Sequence, residues 1–365
     1  MLLGLFACSS NNDPVPNPVP DITHSEELNV KWLLDVLSTS PAGSFVPTLD
    51  NGTIFTADKD GNIFRIDQTD GTIISHFHSK RKFSSGTAVS SNSIFVTTLD
   101  GYLLSIDKVA RKINWQAELP TISVEAPQVS NGVVVVRTND SEILAYNASN
   151  GSLLWVYQKS IPSLTLRVYN TFQIIGKDVV IVGQPSGRMS LLNLNTGVPI
   201  WENYVAIPSG ATDLDKMNDV SVRPVLNGNQ ICVATYNGKI TCIDAMNSSK
   251  IWANNFSTSY GVLVDEQNVY SLRQDGVLYA YDKNNGNKIW SNDVLQYRLL
   301  SVPVFLNNNI LLIDKDGEIY LFNRNDGKMV AMKSSSFKDG IAYPWSDGKR
   351  VIIQSGNGVI AEIIQ

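Results

Sequence analysis

The side chains able to do chemistry in this 365-residue chain are few and scattered. Its histidines are His24, His76 and His78, and its cysteines are Cys8, Cys232 and Cys242. His76 and His78 are two apart, so on a strand they face the same way. Two ligands fall short of the three or four that a zinc site takes, and a solvated outer strand is the expected setting, with no metal. No serine, cysteine or lysine has a recognisable base beside it, and no glycine-rich loop opens a helix. Two other groupings suit recognition better than catalysis. One is Leu164, Leu166 and Arg167 in "IPSLTLR"; the other is the carboxylate cluster Asp213, Asp215 and Asp219 in "IPSGATDLDKMNDVSVRP", residues 207–224. Leu-x-Leu puts both leucines on one side of an extended segment, and an exposed apolar pair beside an arginine has the composition of a protein-binding hot spot. The competing reading, equally open on spacing alone, buries both leucines in the core and pairs Arg167 with Asp219. No enzyme activity and no cofactor are expected.

Composition narrows the setting. A formal charge of −5 gives no basic patch for nucleic acid. No apolar run reaches the ~18–20 residues of a membrane-spanning helix. The start, "MLLGLFACSS", resembles the lipobox of bacterial lipoproteins, with Leu5-Phe6-Ala7 before Cys8. That likeness implies cleavage before Cys8 and its lipidation, and Ser9 in place of aspartate implies the outer membrane. The brief apolar run without a basic lead places the true translation start further upstream. Residues 9–21, "SSNNDPVPNPVPD", carry four prolines and suit a semi-rigid spacer of ~3 Å per residue. The expected organisation is a signal-peptide remnant at 1–7, a lipid-anchored tether at 8–27 and one folded domain at 28–365.

The domain is set by a repeat. "TIFTADKDGNIFRID", "SIFVTTLDGYLLSID", "QICVATYNGKITCID" and "NILLIDKDGEIYLFN" are four of eight units, each an apolar strand, a polar turn and an alternating strand. The turn positions are Gly61, Gly101, Ser141, Gly187, Gly238, Gly276, Gly317 and Gly358. Six residues after them stand Asp67, Asp107, Asn147, Asn193, Asp244, Asp282 and Asn323, types that open turns. Fourteen after them stand Trp115, Trp155, Trp201, Trp252 and Trp290, with Ser75 and Ala331 in the other two units. Fourteen before them stand Pro47, Pro127, Pro224, Pro303 and Pro344, suited to the start of an edge strand. An all-β, eight-bladed β-propeller of four-stranded antiparallel blades fits these offsets. The last unit ends at Gln365 without a fourth strand, and "LNVKWLLDV", residues 28–36, supplies it and closes the ring. Cys232 and Cys242 flank Asn237-Gly238, a two-residue hairpin signal. With that pair as the loop, the thiols point to opposite sides of the sheet, so two buried free thiols are expected.

Successive turn positions are separated by 40, 40, 46, 51, 38, 41 and 41 residues. The two long intervals hold "IPSLTLR" and residues 207–224, on neighbouring blades and on one face. Loops on a rigid scaffold commonly carry function.

With "PSLTLR", "LDKMNDV" and "YRLLSVPV" in these places, the chain resembles the BamB family of outer-membrane protein assembly factors. The resemblance covers 8–365. It implies a surface on adjacent blades that binds a POTRA domain of BamA, the β-barrel insertase, and assists nascent outer-membrane proteins. Leu164, Leu166 and Arg167 match its binding motif, and Asp219 matches the first of two acidic positions. Ser221 replaces the second, and Val168 follows Arg167 where glycine is frequent. The repeat also resembles that of quinoprotein dehydrogenases, but their adjacent Cys-Cys pair is missing and no residues for a cofactor site stand out. The alternative function is a periplasmic propeller that takes a small ligand or quinone in its central channel.

Overall fold

The repeats fold as eight four-stranded antiparallel sheets arranged as blades. The computed structural model describes residues 14–19, 22, 26–40, 45–166, 171–341 and 343–365. Blades 1 to 7 cover 48–78, 88–118, 128–157, 172–204, 225–256, 262–292 and 304–334. Blade 8 takes Trp345–Ser346, Arg350–Gln354 and Val359–Ile364, and its fourth strand is the N-terminal Asn29–Asp35. That strand runs antiparallel to Val359–Ile364, with Asn29 opposite Ile364 and Asp35 opposite Val359. No α-helix occurs among the described residues; one 3-10 turn lies at Pro185–Gly187.

Burial follows the position of a strand in its blade. Second and third strands are sandwiched between neighbouring blades and read as continuous apolar runs, as at Val133–Arg137 and Ile143–Asn147. Fourth strands form the rim and are largely exposed, as at Pro199–Tyr204. Pro47, Pro127, Pro224, Pro303 and Pro344 each immediately precede a first strand.

The fixed-offset residues form one joint between blades. Each Asp or Asn six residues past the turn accepts from backbone two residues on, for example Asp67 from Thr69 (2.7 Å) and Asp282 from Asn284 (2.8 Å). Each tryptophan then donates from Nε1 to the carbonyl that follows this Asx residue in the next blade. Trp115 reaches Ala148 (3.1 Å), Trp155 reaches Leu194 (2.8 Å), and Trp252 reaches Lys283 (2.7 Å). Trp32 of the closing strand does the same to Gln68 (3.1 Å). Four residues past the Asx sits a residue at positive φ, and in five blades it is a glycine against the tryptophan ring. A Cβ on Gly151 would come within 2.5 Å of Trp115. Blade 1 has Ser75 instead of tryptophan, and the facing turn in blade 2 carries Arg111 at φ +55. Blade 7 has Ala331, and blade 8 takes its fourth strand from the N-terminal segment and not through such a turn.

The thiols correct the sequence reading. Cys232 lies directly opposite Cys242, Cα to Cα 4.1 Å, and a disulfide joins them. Asn237-Gly238 is not a two-residue loop. Thr235 N–H donates to the Lys239 carbonyl (2.9 Å), and Lys239 N–H donates back to Thr235 Oγ1 (2.8 Å), which encloses Tyr236, Asn237 and Gly238. The extra residue shifts the register by one. It puts the cysteines in a non-hydrogen-bonded pair, where facing side chains approach most closely.

Candidate partner-binding face

Because strands alternate in direction, the turn between second and third strands and the connection to the next blade lie on one face of the ring. The connections from blade 3 to 4 (158–171) and from blade 4 to 5 (205–224) are the two long ones and share this face. Ile161 and Leu164 are exposed in the first, Leu164 to 42 %; Leu166 is half-buried. Ile207 and Leu214 are exposed in the second, to 74 % and 60 %. Arg167 and Val168 lie outside the described residues, as does Cys8.

Asp219 joins the two connections. It is buried, and its Oδ2 accepts from Leu166 N–H (2.7 Å) while Oδ1 accepts from Ser186 N–H in the turn of blade 4 (2.9 Å). Its carbonyl accepts from Tyr236 N–H (2.9 Å), and Val220 N–H donates to the Gln184 carbonyl (3.1 Å). The one carboxylate thus binds the first insertion and the blade 4 turn, while the same residue's carbonyl holds the blade 5 hairpin. Ser221 is also buried and donates to the Thr258 carbonyl (2.5 Å). Asn218 packs against Gly238 so closely that a Cβ there would lie 2.0 Å from its Oδ1.

The tip of the second insertion is a single helical turn. Thr212 N–H donates to Asp215 Oδ2 (3.0 Å) and Asp215 N–H donates to Thr212 Oγ1 (3.1 Å), a reciprocal cap. The hydrogen bonds from Thr212 hold the Asp215 carboxyl below its ordinary pKa. Gly210, at φ +129, lies so close to this turn that a Cβ on it would stand 2.2 Å from the Asp215 Cβ. This turn presents Leu214 outward, with Asp213 and Asp215 exposed on either side.

The first insertion is fixed at both ends by residues the sequence reading missed. Thr171 N–H donates to Glu125 Oε2 (2.9 Å), and Glu125 Oε1 is paired with Arg137 Nη1 (2.8 Å) inside the protein. Arg137 also bonds Thr171 Oγ1 and Ser141 Oγ. Arg137 was detectable as the one charge in a column otherwise filled by Ala57, Thr97, Gly183, Ala234, Leu272, Ile313 and Gln354. At the other end the Tyr157 hydroxyl bonds Ser190 (2.9 Å) and Glu202, and Lys159 reaches Glu202 (3.1 Å). Burial, then the Glu202 hydrogen bond, pushes the Tyr157 pKa up to about 12. The segment "YRLLSVPV" lies in the blade 6 to 7 connection on the same face, with Tyr297 and Leu299 exposed and Leu300 buried. Elsewhere, His76 Nε2 and His78 Nδ1 both contact Asn62 Oδ1 (2.9 and 3.0 Å) on the outer strand of blade 1.

Solved structures define the class of the fold. The crystal structure of BamB from Moraxella catarrhalis superposes with a TM-score of 0.83 at 20% identity, covering 93% of this chain and all of that one. A quinohemoprotein alcohol dehydrogenase from Comamonas testosteroni reaches 0.69 at 13% identity, over 92% of this chain and 76% of that one. The fold is therefore that of the eight-bladed propellers with quinoprotein-like repeats, a class whose members include enzymes and assembly factors alike. Sequence likeness is narrower. A family model described as outer membrane protein assembly factor BamB matches residues 59–292 and 274–364. The protein of that name from Bordetella pertussis is 32% identical over 367 residues, 99% of this chain and 94% of its own length. This chain belongs to the BamB family of outer-membrane protein assembly factors.

Proposed function

We propose that this protein is a non-catalytic scaffold of the β-barrel assembly machinery. Cys8 carries a lipid that holds it at the periplasmic face of the outer membrane, more than one acyl chain making the attachment stable. The two insertions bind a POTRA domain of BamA, and the complex helps nascent outer-membrane proteins reach the insertase. The observation that carries this reading is the pairing of exposed apolar tips, Ile161 and Leu164 with Ile207 and Leu214, on loops tied together by one buried carboxylate. Groups held in place before binding lose little freedom on binding. Leu164 and Arg167 are the direct contacts, Asp213 and Asp215 an acidic rim, and Leu166, Asp219 and Ser221 supports from beneath. Membership of a family of assembly factors supports the same reading.

Copurification from native membranes tests it. Leu164→Ser combined with Leu214→Ser should lower BamA recovery at least about tenfold, equivalent to ~1.4 kcal/mol. Arg167→Glu should act in the same direction. The melting temperature of the double variant should hold, because substitutions at exposed positions such as Leu164 and Leu214 usually change stability little. Full recovery of BamA by the double variant would defeat the proposal.

A further inference from the structure

The insertion face also receives part of the N-terminal segment. Asn17 N–H donates to the Gln296 carbonyl (3.0 Å), its side-chain amide donates to the Asp293 carbonyl (2.9 Å), and its own carbonyl accepts from Arg298 Nε (3.2 Å). Arg298 is itself held by the buried carboxylate of Asp314 (2.8 Å). Residues 293–298 open the connection from blade 6 to blade 7, so this contact lies on the face that carries the two insertions. Val15 and Val19 are exposed, so the docking is by hydrogen bonds and not by apolar burial. Pro14, Pro16 and Pro18 flank Asn17 and stiffen the backbone, which lowers the cost of ordering it.

Glu26 is fastened on the opposite face. Its N–H donates to the Val330 carbonyl (3.4 Å), and its carboxylate accepts from Asn309 (2.6 Å) and from Gln365. Nine residues reach at most ~32 Å, and strands of this length set the two faces ~20 Å apart.

We infer that Asn17 is a docking point that brings the N-terminal segment out on the insertion face, so that the lipid surface holding the N-terminus lies on the same side as the partner-binding loops. This rests on the proposed anchor at Cys8. Nine residues separate Cys8 from Asn17, which keeps the insertion face within ~32 Å of that surface. Tyr297 and Leu299 are exposed in the same connection as the docking point.

Anchoring the chain artificially separates this inference from the question of native lipidation. The full chain is coupled through the Cys8 thiol to a maleimide phospholipid in phosphatidylcholine vesicles, the other two cysteines being joined in a buried disulfide. A fluorescent amino acid replaces Leu214 on the insertion face or Met246 on the opposite face, and a rhodamine-labelled lipid is the acceptor. Energy transfer from position 214 should exceed that from 246 at least about twofold, given the ~20 Å between faces. Asn17→Pro removes both donors of Asn17 without touching the propeller, and should bring the two signals together. Equal transfer in the unaltered chain, or a difference that survives Asn17→Pro, overturns the inference. The anchor reading fails separately, if mass spectrometry of protein taken from cells shows Cys8 unmodified.

Discussion

Asp219 links elements that are distant in sequence through backbone groups alone. Its two oxygens collect N–H groups from Leu166 and Ser186, 53 and 33 residues away. Removing such an acceptor strands buried donors, at a cost of ~1–3 kcal/mol. Asp219→Ala should lower unfolding stability by that amount and loosen the first insertion, and Asp219→Asn, which keeps one acceptor oxygen, should fall between. Urea unfolding with BamA copurification in parallel checks both. A fully stable Asp219→Ala chain would remove the clamp role. The sequence marked Asp219, and one of two open readings paired it with Arg167, which lies outside the described residues. It could not show the actual partners, because every residue but proline offers a backbone N–H. Glu125 and Arg137 escaped notice for a different reason: Arg137 stands out as the one charge in its column, but Glu125 does not, and what the pair does appears only when Thr171 is brought between them.

Among the elements, the blade 5 hairpin bears on the site most directly. Its strands carry the Cys232–Cys242 disulfide, and its turn holds the second insertion through Tyr236, Asn237 and Gly238. Removing a native disulfide costs roughly 2–4 kcal/mol, less for short loops. Cys232→Ala with Cys242→Ala should therefore lower the melting temperature by several degrees. It should also speed hydrogen exchange over 211–220 more than in any other connection on that face. An unchanged melting temperature with unchanged exchange would show the hairpin holds the loop without its bridge. The strands themselves were legible because their signals repeat: Asx, tryptophan and proline recur at fixed offsets, and each offset proved to be one part of the joint between blades. The hairpin register was not legible, since Asn-Gly serves turns that differ by one residue, and one residue decides whether two cysteines face each other.

Across the whole molecule, phenol groups packed between blades couple stability to alkaline pH. Burial, with help from a neighbouring Glu142, Glu202 or Tyr279, pushes Tyr146, Tyr157 and Tyr281 up to about 12. An unfolded tyrosine titrates near ~10. Between those values the folded chain binds more protons than the unfolded one, so stability falls as pH rises. The contribution is complete below about pH 10 and gone once the pH passes the folded pKa values near 12. The urea midpoint should fall steeply across that window, followed against tyrosinate absorbance at 295 nm. A midpoint that does not move between about pH 10 and 12 would show that these phenols titrate without hindrance. The ring also has a history in time. Asn29 pairs with Ile364, so the strand that closes the ring must wait for a neighbour that lies far along the chain. Until Val359–Ile364 has been made, Asn29–Asp35 is a strand without its neighbour, the state most open to wrong pairing. The circle closes late, by a contact between distant parts of the chain, and a product that lacks Val359–Ile364 cannot complete it.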